Sequence, residues 1–112
     1  MAIKFNEISS TYKKIKRFIK VTETSYTEQI SNICNSNIFF KFENRQHTGA
    51  FKIRGALNKL LSLNLKDRRK GVVGMSAGNH AQGLAYASKI LGITSHIVMP
   101  LGTPFTKIRR TK

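Results

Sequence analysis

The stretch from Gly71 to Pro100 limits the fold more than any other part of this 112-residue chain. "GVVGMS" is a short apolar run, and "SHIVMP" is a second one. Between them "GNHAQGLAYASKILG" puts Ala81, Leu84, Ala85, Ser88 and Leu91 on one helical face and then stops at Gly92, a residue suited to the left-handed turn that ends helices. A strand, a helix and a strand of this length make a β-α-β unit, whose strands should lie parallel. The expected class is therefore α/β, with the first strand buried.

The rest of the chain is read around that unit. Ile53, Leu57, Leu60 and Leu61 form the apolar stripe of a helix that begins close to Lys52, behind the turn-forming "NRQHTG" at 44–49. "NIFFKFE" alternates Ile38, Phe40 and Phe42 with Asn37, Phe39 and Lys41, which predicts a strand packed on one face. Residues 21–36 are mostly polar and read as a loop with a brief helix. In residues 1–20, Ile8, Tyr12, Ile15 and Ile19 recur at helical spacing, predicting an amphipathic helix with a solvated basic face. Thr103 as N-cap and Pro104 as first helical residue predict a last helix over "FTKIRRTK". An α/β chain that stops there reads as the N-terminal portion of a longer fold.

Composition narrows the partners. Twenty Lys and Arg against five Asp and Glu give a net charge of +15, which would attract polyanions. The basic residues are dispersed, however, apart from "YKKIKRFIK" and "KIRRTK", so a nucleic-acid binder is kept only as an alternative, testable by salt-sensitive binding to unrelated duplexes. Cys34 stands alone and His47, His80 and His96 lack ligand spacing, so neither a disulfide nor a metal site is expected. No apolar run approaches the ~20 residues of a membrane span, and the expected location is the cytoplasm.

Two motifs carry chemistry. Lys52 sits at a helix start among apolar neighbours, where the positive helix end and desolvation favour the neutral amine that condensation with a carbonyl compound needs. "SAGNHAQG" runs from a strand into a helix, so its free backbone N–H groups suit a carboxylate or phosphate. Gly78 would let a ligand approach the backbone, and Gly83 would let the helix pack near its neighbours. On spacing alone this is an unspecific anion site, because Gly74, Gly78 and Gly83 match neither the dinucleotide nor the Walker pattern. Taken singly, Lys52 also reads as an exposed helix lysine, Asn79 as a plain cap and His80 as a solvated residue.

In order and separation, "KFENRQHTGAFKIRGA", "SAGNHAQGLAYASKILG" and "IVMPLGTPFTK" resemble the N-terminal part of the fold-type II pyridoxal-phosphate enzymes, nearest the threonine/serine dehydratases. The resemblance is good over 38–112 and poor over the first 37 residues, where "KVTETS" replaces the usual Thr-Pro. It implies a partial fold-type II (tryptophan synthase beta-like) fold: residues 1–70 would open the large domain and 71–112 would supply a β-α-β part of the small one. It also implies pyridoxal 5'-phosphate as cofactor, Lys52 as the lysine that carries it and then takes the substrate Cα proton, Phe51 packed beside its ring and Asn79 bonded to its 3′-oxygen. Ser76, Ala77, Gly78, Asn79 and His80 would hold the carboxylate of L-threonine or L-serine.

Serine racemases of this fold resemble the same turn but have serine at the place of Ala77, as a second acid/base; alanine there favours elimination over racemisation. The family's glycine-rich phosphate loop has no counterpart in these 112 residues. The resemblance therefore implies weak cofactor binding and little turnover by this chain alone, a homo-oligomer for the full-length enzyme, and, as an alternative, a non-catalytic piece that complements a C-terminal partner.

Overall fold

The computed structural model describes residues 2–112. Its elements are α1 (Phe5–Ile15), β1 (Thr24–Tyr26), α2 (Glu28–Cys34), β2 (Phe39–Lys41), α3 (Lys52–Ser62), α4 (Leu65–Lys70), β3 (Val72–Met75), α5 (Asn79–Leu91), β4 (Ser95–Val98) and α6 (Phe105–Thr111). β1 and β2 pair antiparallel, while β3 and β4 pair parallel with Val72 opposite Ser95 and Met75 opposite Val98. The expected β-α-β unit is present, and Gly92 ends α5 in the left-handed conformation at φ 65°.

The core lies between α3 and α5. Ile53, Leu57 and Leu60 of α3 are fully buried against Leu84 and Ala87 of α5, with Ile15, Ile19 and Ile93 closing the cluster. The α3 stripe read from the sequence is thus the inner face of the molecule, and one core spans residues on both sides of Gly71. Burying these three side chains contributes several kcal/mol, at roughly 1.5–3 kcal/mol each. α4 returns the chain to the sheet: Asn64 caps it by accepting the Asp67 N–H at 2.8 Å, and Arg68 donates to the Leu61 and Leu63 carbonyls that α3 leaves open.

Several expectations are corrected. β1 lies where a loop was expected, and α4 was not foreseen. The helix of residues 1–20 ends at Ile15, turns once more through Lys16–Phe18, and leaves Ile8 and Tyr12 exposed. β2 has no buried face, with Phe39 and Phe40 both exposed, and β3 is covered on one side only, leaving Val73 and Met75 in solvent. Pro104, not Thr103, is the cap of α6, because the Thr103 hydroxyl turns back to the Pro100 carbonyl at 2.7 Å. The radius of gyration of 16.6 Å, against about 13 Å for a compact chain of this length, reflects these uncovered faces.

One polar cluster joins the N-terminal half to α3. Arg54 donates through Nε at 2.9 Å and Nη2 at 2.7 Å to the two carboxylate oxygens of Glu43, which also accepts the hydroxyl of buried Thr22. The hydrogen bond from Arg54 pulls the Glu43 carboxyl below its ordinary pKa of 4.5 against an opposing push from burial, and Thr22 adds to the lowering. Glu43 in turn raises Arg54 above its ordinary value, so the guanidinium stays charged throughout.

A depressed carboxylate stabilises the fold above its unfolded pKa, and that contribution disappears as pH falls through the folded value. We expect Glu43→Gln to cost about 1–3 kcal/mol at neutral pH, read as a lower melting temperature. The gap to the unsubstituted chain should narrow as pH falls below the ordinary carboxylate range and through the lowered folded value. A gap that persists undiminished in acid would contradict the assignment.

Candidate functional site

Lys52 is the first residue of α3, and the chain reaches it through a constrained loop. Thr48 (φ 64°) and Gly49 (φ 68°) are both left-handed, which for a β-branched threonine costs on the order of 1 kcal/mol or more. Buried Gln46 holds this conformation. Its side chain accepts the Lys20 N–H at 2.9 Å and the His47 N–H at 3.1 Å and donates to the Lys20 carbonyl at 2.8 Å, while its own carbonyl accepts the Gly49 N–H at 2.9 Å. The His47 ring stacks on Tyr86 of α5 with centroids 5.2 Å apart. The loop is thereby tied to the N-terminal segment on one side and to α5 on the other.

The second motif meets the first at Gly83. A Cβ at that position would stand 3.0 Å from the Ile53 nitrogen, 3.1 Å from the Lys52 carbonyl carbon and 3.3 Å from the Lys52 Cβ. Only glycine lets α5 lie this close on the first turn of α3, which was the role expected of it. Gly74 makes the corresponding approach from the sheet, where a Cβ would fall 2.5 Å from Leu84.

From β3 the chain turns into α5 through Ser76–Gly78. The Ser76 N–H donates to the Val98 carbonyl at 3.0 Å, and the Gly78 N–H donates to Ser76 Oγ at 3.2 Å, leaving the serine hydroxyl proton to be donated elsewhere. α5 has no side-chain cap, and a Cβ at Gly78 would meet nothing within 4 Å. The first-turn N–H groups therefore face open space at the positive end of a 13-residue helix, a setting for a carboxylate or phosphate.

Phe51, Lys52, Gly55, Val73, His80 and Leu84 border a groove of about 500 Å³ between α3, β3 and α5. Lys52, Phe51 and His80 thus share one surface, whereas Ser76, Ala77, Gly78 and Asn79 lie outside the groove lining, in the turn that leads to His80. The Lys52 Nζ stands 5.0 Å from the Phe51 ring centroid. The expected burial of Lys52 is not found: the side chain is exposed, because only β3 and α5 flank the groove.

Among the described residues no carboxylate pairs with Lys52, so its amine is available to a carbonyl compound. With an aromatic face beside it and unpaired N–H donors at the head of α5, the arrangement suits a planar ligand with anionic groups. Sequence reasoning missed Gln46, Glu43, Arg54 and Thr22, which brace this site. Their partners lie 11 to 26 residues away, and no local periodicity marks them.

A family described as "Pyridoxal-phosphate dependent enzyme" matches residues 15–112. The chain is 43% identical over 110 residues to the L-threonine ammonia-lyase of Thermotoga maritima, covering 98% of this chain and 27% of that protein. It is also 43% identical over 108 residues to the serine racemase of Schizosaccharomyces pombe, covering 96% and 33%. The structure of maize serine racemase superimposes with a TM-score of 0.89 at 36% identity over 99% of this chain and 34% of that one.

The chain thus spans about a third of the length of the relatives it matches. The family match extends towards the N-terminus beyond the quoted motifs, as far as residue 15. On a match that takes in all but the first 14 residues, the chain belongs to the family of pyridoxal-phosphate dependent enzymes.

Proposed function

We propose that these residues form the lysine-bearing part of a threonine/serine dehydratase, which removes the β-hydroxyl of L-threonine or L-serine to give a 2-oxo acid and ammonia. The observation that carries this reading is the packing of the Lys52 turn against α5 at Gly83, with Lys52 and His80 on one groove and the uncapped helix head beside it. In this reading residues 1–70 open a large domain and 71–112 begin a small one.

Pyridoxal phosphate, when bound, supplies the electron sink that acidifies the substrate Cα–H. Lys52 would carry it, with Phe51 against its ring and Asn79 bonded to its 3′-oxygen. The chain's own residues do the rest. The N–H groups of Ala77, Asn79 and His80, with the Ser76 hydroxyl, fix the substrate carboxylate in the Ser76–His80 turn, and the Lys52 amine takes the Cα proton. The β-hydroxyl and that proton are lost together as water, and the resulting enamine is hydrolysed by water to the 2-oxo acid and ammonia. Ala77 supports elimination over racemisation, since its methyl group has no proton to give to the opposite face of the substrate.

The test supplies this chain, pyridoxal phosphate and L-threonine with a polypeptide carrying the part of the Thermotoga maritima relative beyond the matched residues. We expect 2-oxobutanoate from the mixture and little from either piece alone. With L-serine, formation of the D-enantiomer without a 2-oxo acid would overturn the dehydratase reading in favour of racemisation.

A further inference from the structure

We propose that Glu43 and Arg54 are positioning residues for Lys52; this rests on the reading of Lys52 as the lysine that carries the cofactor. Arg54 stands in the same first turn of α3, two residues after Lys52, and borders the same groove. α3 has no side-chain cap of its own, and among the described residues the Lys52 side chain has the Phe51 ring as its one aromatic or charged partner. The aim of its amine is therefore set by the backbone of that turn.

Two contacts hold that backbone. Gly83 of α5 presses on it from one side. From the other, Glu43 grips Arg54 through both carboxylate oxygens and is itself held by Thr22, whose carbonyl accepts the Lys41 Nζ at 3.0 Å. A two-pronged guanidinium–carboxylate pair fixes orientation as well as distance, which a lysine in place of Arg54 would not do. With side-chain exposures of 25% for Arg54 and 17% for Glu43, the pair is removed from most of the solvent that would loosen it. It also joins the N-terminal segment and the end of β2 to the turn that bears Lys52, so its geometry is transmitted to the amine.

The test incubates the whole chain with pyridoxal phosphate, reduces with borohydride and maps the modified peptides across a pH series. Lys59, on the same helix and the same groove, is the internal reference. We expect Lys52 to be labelled well above Lys59 in the unsubstituted chain. Glu43→Gln and Arg54→Lys should lower the Lys52:Lys59 ratio roughly tenfold or more and shift the pH midpoint of Lys52 labelling, with helix content kept. Arg54→Lys keeps the charge and carries the test should Glu43→Gln melt. An unchanged ratio in a folded variant, or an equal drop at both lysines, overturns the positioning role and leaves the assignment of Lys52 intact. Equal labelling of Lys52 and Lys59 in the unsubstituted chain overturns both.

Discussion

Lys52→Ala is expected to remove the selective cofactor attachment and, in the mixture that makes a 2-oxo acid, to lower turnover on the order of 10³-fold or more. Lys59 should not take its place. It lies seven residues on, on nearly the same face of α3 but about 10 Å further along the axis, away from the Phe51 ring and from the helix start. The substitution should leave stability within about 0.5 kcal/mol, because Lys52 is exposed and alanine is a good helix former. Loss of attachment with an unchanged melting curve therefore separates chemistry from folding. Borohydride-trapped cofactor at the unsubstituted level in the Lys52→Ala chain would refute the assignment of Lys52.

The sequence reveals the parts of this fold that local patterns determine. The α3 stripe, the β-α-β unit, the Gly92 stop and the meeting of the two motifs at Gly83 all follow from spacing and from glycine placement. What was misread depends on neighbours rather than on pattern. Alternation in β2 tells which side chains share a face, but not whether a second layer covers it; Phe39 and Phe40, on opposite faces, stay exposed because among the described residues no layer covers either, although the Tyr26 ring of β1 lies edge-on to Phe39. The same reason leaves Val73 and Met75 open on β3 and Lys52 in solvent.

The bracing of the site was the least legible part. A buried glutamine at 46 and a carboxylate at 43 look like turn residues until their partners, Lys20, Thr22 and Arg54, are brought to them by the fold. Thr103 shows the opposite failure. A favourable local cap lost to an equally local alternative, the hydroxyl bond back to Pro100.

Gly83→Val is expected to destabilise the chain by about 2–3 kcal/mol, measured as a shift in denaturant midpoint, and to lower Lys52 labelling at the same time. Replacing glycine in an exposed helix normally helps, by up to about 1 kcal/mol for alanine. At Gly83 the nearest atoms are the backbone of Ile53 and Lys52 at 3.0 and 3.1 Å, and backbone cannot swing aside as a side-chain tip can. The turn that would have to move is also held from its far side by Arg54 and Glu43. A valine therefore either forces α5 off α3, opening the core at Ile53 and Leu84, or displaces Lys52 itself. Gly55→Ala is the matched control: a Cβ there meets nothing within 4 Å, so the same class of change on α3 should be neutral or stabilising by about 0.5–1 kcal/mol. If Gly83→Val melts no lower than Gly55→Ala, the close approach of α5 does not hold the lysine turn, and the packing that unites the two motifs must be sought elsewhere.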